Sequence, residues 1–374
     1  MAGLSAQDRP GAWGAPGVRV TDLAQVPGWF ARPEVPGRVP AVLLLHPSSA
    51  WDRRALIPAE ESGTGRDVYL FDDLAAALLR AGVAVLGFDS RFVTARRGDG
   101  WEPGLVTFPA LIQDAVALLR YLQEHPGVDP DRISLLGVSL GTQVAVGAAV
   151  QAAAEARAAG GSARPCRLIL AAPGVQPLDQ HLAWSMVGRR LEWLLAAGLV
   201  DRGGNVDLRR VAERRAARFG WWDEFDPSHF TPVPGPHTGP GAQPGPDPDL
   251  VPYEQVAGVL LHRHDEFVRR IFRSGGDGAP AEYWRTRRDR PPMAELLAQL
   301  TGRVWVHVGD DDWTTPPRQS WQLARCAPEG LDVQVTVHPD LGHLFSPRDR
   351  DGRMTYGPID PSVLAALTAS ALAV

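Results

Sequence analysis

The sequence predicts an α/β protein, a doubly wound and mostly parallel sheet with a large insertion. Three observations carry that expectation. Short continuous apolar runs alternate with helical stretches at both ends of the chain. The pentapeptide Gly137-Val138-Ser139-Leu140-Gly141 stands between one such run and an alanine-rich stretch. Residues 174–302 interrupt the alternation, which then resumes. Strands alternating with helices build parallel sheets with right-handed crossovers, because each helix packs on the sheet while returning the chain to the same edge.

Residues 1–16 are rich in glycine and proline and are expected to be loose. Residues 18–22 and 26–32 have strand character and are expected to pair antiparallel at a sheet edge. Residues 41–45, Ala-Val-Leu-Leu-Leu, are apolar throughout, as a strand covered by helices on both faces must be. Helical spacing follows over 71–81 and stops at Gly82, then residues 83–88 give the next buried strand. Residues 111–123 form an amphipathic helix. A turn cluster at 126–131 sets off a strand marked by Ile133, Leu135 and Leu136. Residues 142–157 are nearly all Ala, Val and Gln without proline, hence helix, and 167–172 is again strand. Past the insertion come a strand at 304–308, a helix at 318–326, a strand at 333–337 and a closing helix at 361–373. The core is therefore expected over 17–173 and 303–374.

Within the insertion, residues 182–199 and 208–219 read as helical, whereas 231–252 holds eight prolines and must be irregular. Five tryptophans argue that the insertion as a whole is folded.

Bulk properties are those of an ordinary globular chain, with 44% hydrophobic and 22% charged residues. A net charge of −5 gives no reason to expect nucleic acid or an anionic membrane as partner. Lysine is absent, and all 38 basic residues are arginine. The two cysteines, Cys166 and Cys326, have no metal-type spacing and are expected to be free thiols in a reducing compartment. With neither a signal-type hydrophobic start nor a membrane-length apolar run, the expected location is the cytoplasm. The oligomeric state is not legible.

A Gly-x-Ser-x-Gly pentapeptide between strand and helix is a nucleophile elbow, a turn so sharp that the serine hydroxyl stands clear of its backbone. Glycines on either side are needed because side chains there would strike the neighbouring strand and helix. The plain alternative for Ser139 is a helix cap, which requires no such glycines. A serine hydroxyl needs a base to take its proton, and the base needs an acid to orient it. In folds of this order the acid and then the histidine follow the serine. Gly309-Asp310-Asp311-Asp312-Trp313-Thr314-Thr315-Pro316 follows the 304–308 strand, and His338-Pro-Asp-Leu-Gly-His343 follows the next. Among the aspartates Asp312 is chosen on the spacing Gly309, Asp312, Pro316, with Asp310 and Asp311 as the competitors. His343, on a loop after Gly342, is the expected base, and His338 at the strand end is expected to be structural.

An oxyanion hole requires two backbone N–H groups. Leu140, after the nucleophile, is one candidate. The other lies in His46-Pro47-Ser48-Ser49, where Pro47 has no N–H and Ser48 is chosen. His46 is read either as an organiser of that loop or as a plain strand-end residue. The His262-Arg-His264-Asp-Glu266 segment matches no ligand pattern and is read as polar surface, so no metal and no cofactor is expected.

With these residues placed, the chain resembles the α/β-hydrolase superfamily, in particular its dienelactone hydrolase-like and prolyl oligopeptidase-like branches. The resemblance rests on Gly28-Trp-Phe-Ala-Arg-Pro33, Pro40-Ala-Val-Leu-Leu-Leu-His46, Phe71 to Gly82, Val128-Asp-Pro-Asp-Arg-Ile133 and His338-Pro-Asp-Leu-Gly-His-Leu-Phe345. It implies the α/β-hydrolase fold and a serine hydrolase acting on a small-molecule ester or thioester through an acyl-enzyme. Acyl transfer, amide or peptide cleavage on the same residues, and a non-catalytic binding protein are the alternatives. Two departures limit it. The nucleophile is serine where typical dienelactone hydrolases use cysteine, and His46 is followed by proline where glycine is usual. Residues 174–302 are expected to form a cap over the site, with Trp184, Trp221 and Trp222 as expected substrate-pocket residues.

Overall fold

In the computed structural model, the residues described are 13, 17–23, 26–48, 51–161, 166–216, 233–234, 246–247, 249–276, 278–347 and 355–373. One sheet is built from Val18–Asp22 (β1), Gly28–Pro33 (β2), Val39–Leu45 (β3), Ala84–Phe88 (β4), Val128–Val138 (β5), Arg167–Ala171 (β6), Gly302–Gly309 (β7) and Leu331–His338 (β8). Its order is β1-β2-β4-β3-β5-β6-β7-β8. Only β2 runs against the rest, pairing antiparallel with β1 on one side and β4 on the other. All other pairings are parallel. Every residue of β3 and β4 is buried, as a strand covered on both faces requires. The chain passes from β3 to β4 on one side, then returns to lay β5 on the other. Loops at the carboxyl ends of β3 and β5 therefore diverge, leaving a crevice there.

The α-helices longer than four residues among the described residues are Leu70–Arg80 (α1), Phe108–Glu124 (α2), Leu140–Ala158 (α3), Leu178–Ala183 (α4), Arg189–Ala196 (α5), Leu208–Ala216 (α6), Tyr253–Ser274 (α7), Ala281–Arg288 (α8), Met293–Leu297 (α9), Pro317–Arg325 (α10) and Pro361–Leu372 (α11). Helix α2 starts where the Thr107 side chain accepts from the Ala110 N–H, three residues before the amphipathic stretch begins. Helix α11 starts where Asp360 caps the Ser362 N–H.

Two local departures from the expected elements have physical causes. The cluster at 126–131 turns only at its start: β5 begins at Val128, pairs Val128 with Val39, then slips register before Ile133 pairs with Ala41. Pro130, which has no N–H for the ladder, lies in the slip. Within the segment expected to be loose, Trp13 is fully buried, its ring 5.3 Å from that of Trp29 and its Nε1–H donating to Asp72 at 2.9 Å. A large aromatic ring with a satisfied N–H holds Trp13 itself in place, within a segment that composition alone marks as loose.

The chain divides into two compact units. The first comprises residues 1–177, 274–347 and 355–374 and contains the sheet. The second comprises residues 178–273 and 348–354. The second unit is thus narrower than the expected 174–302, because α8 and α9 pack with the core. The Thr286 hydroxyl of α8 accepts from the Phe108 N–H at 3.0 Å, and Glu282 accepts from the Gly104 N–H at 3.2 Å. Within the second unit, α4 runs through a π-turn at Trp184–Gly188 into α5, and residues Asn205–Asp207 pair antiparallel with Leu250–Pro252. Most of the proline-rich 231–252 segment lies outside the described residues. Among the described residues no helix is long and apolar enough to cross a membrane.

Candidate active site

Strand β5 delivers Ser139 into a backbone conformation of φ 51° and ψ −112°, outside the regions that L-residues ordinarily populate. Such strain persists only where the surroundings over-determine it, and here they do. A Cβ on Gly137 would lie 2.3 Å from the Gly141 carbonyl oxygen, and one on Gly141 would lie 2.1 Å from that of Leu45. Both glycines are therefore forced by backbone-to-backbone approach. The Ser139 N–H donates to Ala171 O at the end of β6 (2.8 Å), and the Thr142 hydroxyl donates to Ser139 O (2.6 Å).

The Ser139 hydroxyl meets Nε2 of His343 at 2.9 Å. Nδ1 of the same ring lies 2.9 Å from Oδ2 of Asp312. A carboxylate only accepts, so Nδ1 carries the proton and Nε2 is left to accept from the serine. The Asp312 side chain is wholly buried, and its oxygens are satisfied: Oδ1 accepts from the Thr314 and Thr315 N–H groups, both at 2.8 Å, and Oδ2 accepts from the Thr315 hydroxyl at 2.7 Å.

The neighbouring aspartates are placed differently. Asp310 is exposed, and Asp311 accepts from the Trp313 indole at 3.0 Å. Their backbones bind the acid loop to the histidine loop, with Asp310 N–H donating to His338 O (2.9 Å) and Asp311 N–H to Leu341 O (3.1 Å). At Gly309 a Cβ would stand 2.1 Å from Leu341 O, so the two loops close only around glycine. Gly309 and Thr315 hold Asp312 and His343 in register. Sequence reading used Gly309 only for spacing and passed over Thr315, whose signal was a hydroxyl three residues after the acid.

His338 is buried and faces away into the sheet, its Nε2 3.1 Å from Nδ1 of His307, whose Nε2 lies 3.0 Å from the Ser370 hydroxyl. Burial lowers the pKa of both rings, that of His307 to about 3 with help from neighbouring His338. Both are therefore neutral near pH 7.

Leu140 is the first residue of α3, so its N–H has no intrahelical acceptor and sits at the positive end of the helix dipole. The loop after β3 lies beside it, since the Leu45 and His46 carbonyls both press on the Gly141 position. Ser48 is exposed on that loop, and Ser49 lies outside the described residues. The buried His46 ring donates Nε2–H to Phe88 O at 2.7 Å, and burial lowers its pKa to about 4. Phe71 and Phe88 pack on the ring at centroid distances of 5.3 and 4.8 Å. This is a fixed neutral strut, the organising reading of His46 rather than the incidental one.

A narrow, mainly apolar cleft beside the elbow is lined by Leu45, Trp51, Phe88, Leu111, Leu140 and Val144. Trp51, which stacks on Phe92 at 4.0 Å, is an aromatic of the core unit that sequence reading did not single out. Of the expected pocket tryptophans, Trp184 belongs to the second unit, with its ring over its own Gly188. Trp221 and Trp222 lie outside the described residues. His262 and His264 lie on α7 beside Glu266 (3.4 Å) and Asp265 (3.1 Å).

A family model described as alpha/beta hydrolase fold matches residues 106–205, which include β5, the elbow and α3. An uncharacterized protein of Mycobacterium tuberculosis (strain H37Rv) is 29% identical over 233 residues, 58% of this chain and 69% of its own. Among solved structures, Est1E from Butyrivibrio proteoclasticus aligns with a TM-score of 0.47 at 14% identity, covering 95% of this chain and 98% of that one. A hyperthermophilic esterase from Pyrobaculum calidifontis gives 0.46 at 16% identity over 98% and 87%. The matched segment, the strand order and the strained serine turn belong to one architecture, and the chain has the α/β-hydrolase fold.

Proposed function

We propose that the protein is a serine hydrolase that cleaves a carboxylic ester through an acyl-enzyme. The observation that carries this reading is the hydrogen-bond run from Ser139 through His343 to Asp312, 2.9 Å at each step. Ser139 Oγ attacks the ester carbonyl while its proton passes to Nε2 of His343. Asp312 keeps the proton on Nδ1 and stabilises the imidazolium that forms. The Leu140 N–H, with a second N–H from the loop at Ser48, receives the negative charge developing on the carbonyl oxygen. His343 then returns its proton to the departing alkoxide, leaving the acyl group on Ser139. In the second half a water gives its proton to Nε2, attacks the acyl carbonyl, and releases the acid and a free serine.

A thioester would follow the same path with a better leaving group. Transfer of the acyl group to an alcohol would differ only in what replaces water. The test is turnover of p-nitrophenyl acetate, wild type against Ser139→Ala. Burst release of nitrophenol in the wild type and none in the variant supports the acyl-enzyme. Equal turnover by both proteins overturns it.

A further inference from the structure

Helix α8 belongs to the first unit and lies against the starts of two helices at the carboxyl edge of the sheet. It meets α2 through Thr286 and Phe108, and α3 through Arg287 and Gln143. Gln143 is four residues after Ser139, a rise of about 6 Å along the helix. Its Nε2 donates to Gly174 O at 2.8 Å, past the end of β6, and its Oε1 faces Arg287 Nε at 3.4 Å. Arg287 is 7% exposed, its guanidinium beside the Trp284 ring (5.8 Å) and bonded to the buried Tyr283 hydroxyl. Arg290, just past the helix, lies beside the Phe108 ring at 5.8 Å, with a buried Nη1 that has no hydrogen-bond partner among the described residues.

Neither guanidinium faces a carboxylate among the described residues. Glu282, on the same helix, is held by the Gly104 N–H, and Asp289 turns to Arg288 at 3.4 Å. A buried guanidinium and a half-buried one, of like sign and without a counter-charge, are an unfavourable arrangement for packing alone. Leucine or methionine would stack on Phe108 and Trp284 without that penalty. Burial, then the charge of Arg287, pulls the Arg290 pKa down to about 10, which leaves it charged at neutral pH.

We propose that Arg287 and Arg290 bind a carboxylate carried by the substrate, so that the ester cleaved at Ser139 bears a free acid a few carbons from its carbonyl. This deepens the hydrolase reading and rests on it. A guanidinium offers a planar fork of donors that matches the two oxygens of a carboxylate, and a water-poor site strengthens the pair. Substrates of this class are half-esters of dicarboxylic acids and esters of hydroxy acids. The carboxylate would supply the missing counter-charge, and Gln143 would fix the distance between the anion and the elbow.

The experiment is calorimetric titration of the Ser139→Ala protein with monomethyl glutarate and, separately, with neutral dimethyl glutarate. The expected result is at least tenfold tighter binding of the monoanion, lost in Arg287→Gln and in Arg290→Gln and partly kept in Arg287→Lys. Equal affinity for the two probes, no detectable binding of the monoanion, or a preference that survives both glutamine variants overturns the proposal. The comparison of probes needs no arginine variant, so misfolding of one does not block it. If p-nitrophenyl acetate is cleaved by the wild type while the probes bind alike, the carboxylate site fails alone. If the monoanion binds selectively and no ester is cleaved, the hydrolase reading fails alone.

Discussion

Nε2 of His343 lies 2.9 Å from Oγ of Ser139, although 204 positions separate them in the chain. The contact depends on three glycines that admit backbone where side chains would collide. Gly137 and Gly141 fix the serine turn, and Gly309 lets the acid loop rest on the loop that carries His343.

Gly141→Ala should therefore destabilise the protein by more than about 3 kcal/mol, since its Cβ would stand 2.1 Å from the Leu45 carbonyl and neither backbone can move freely. Urea unfolding compared with Ser139→Ala, which should unfold like the wild type, checks this. A Gly141→Ala midpoint equal to the wild type would contradict the packing argument.

Asp312→Asn should lower kcat by several orders of magnitude, because an amide favours the wrong tautomer of His343 and does not stabilise the imidazolium. Asp310→Asn and Asp311→Asn should stay much closer to the wild type, as their side chains point elsewhere. A larger loss for Asp310→Asn than for Asp312→Asn would move the role.

Thr315→Val tests the support of the acid. Its hydroxyl donates to Asp312 Oδ2 at 2.7 Å, the same oxygen that meets His343. Loss of a hydrogen bond to a charged group predicts a fall in kcat of roughly ten- to a hundredfold, with KM little changed. Steady-state kinetics on p-nitrophenyl acetate would reveal it, and an unchanged kcat would assign Thr315 to loop structure alone.

Acid should weaken the fold before the carboxylates titrate. His46 and His307 are held at about 4 and about 3, well below the unfolded value of about 6.5. Their neutral burial costs nothing in protonation above that unfolded value. As pH falls below it, the unfolded chain takes up protons that the folded chain refuses. Stability then drops by about 1.4 kcal/mol per pH unit for each histidine, until the folded values are reached. Unfolding by urea at pH 8, 6.5 and 5 checks the sign, and His307→Asn should show a shallower loss between the last two. Stability rising toward pH 5 would contradict this.

The core was legible because its signals are local. Continuous apolar runs such as 41–45 mark strands buried on both faces, and Gly137-Val138-Ser139-Leu140-Gly141 needs only its neighbours to be understood. Asp312 and His343 could be placed because each follows a strand at the same sheet edge. What escaped depends on distant pieces meeting. Trp13 is fixed by Trp29 and Asp72, and Thr315 matters only through the carboxylate it faces. Residues 281–297 read as part of the insertion, yet Phe108, Gly104 and Gln143 draw α8 onto the core. No periodicity within those residues announces that attachment.

The central claim is that Ser139 is the nucleophile, and labelling with a fluorophosphonate followed by peptide mass mapping tests it most directly. The account predicts one adduct, on Ser139, absent in Ser139→Ala and strongly slowed in His343→Ala and Asp312→Asn. An adduct on another serine, or none on the folded wild-type protein, would contradict it.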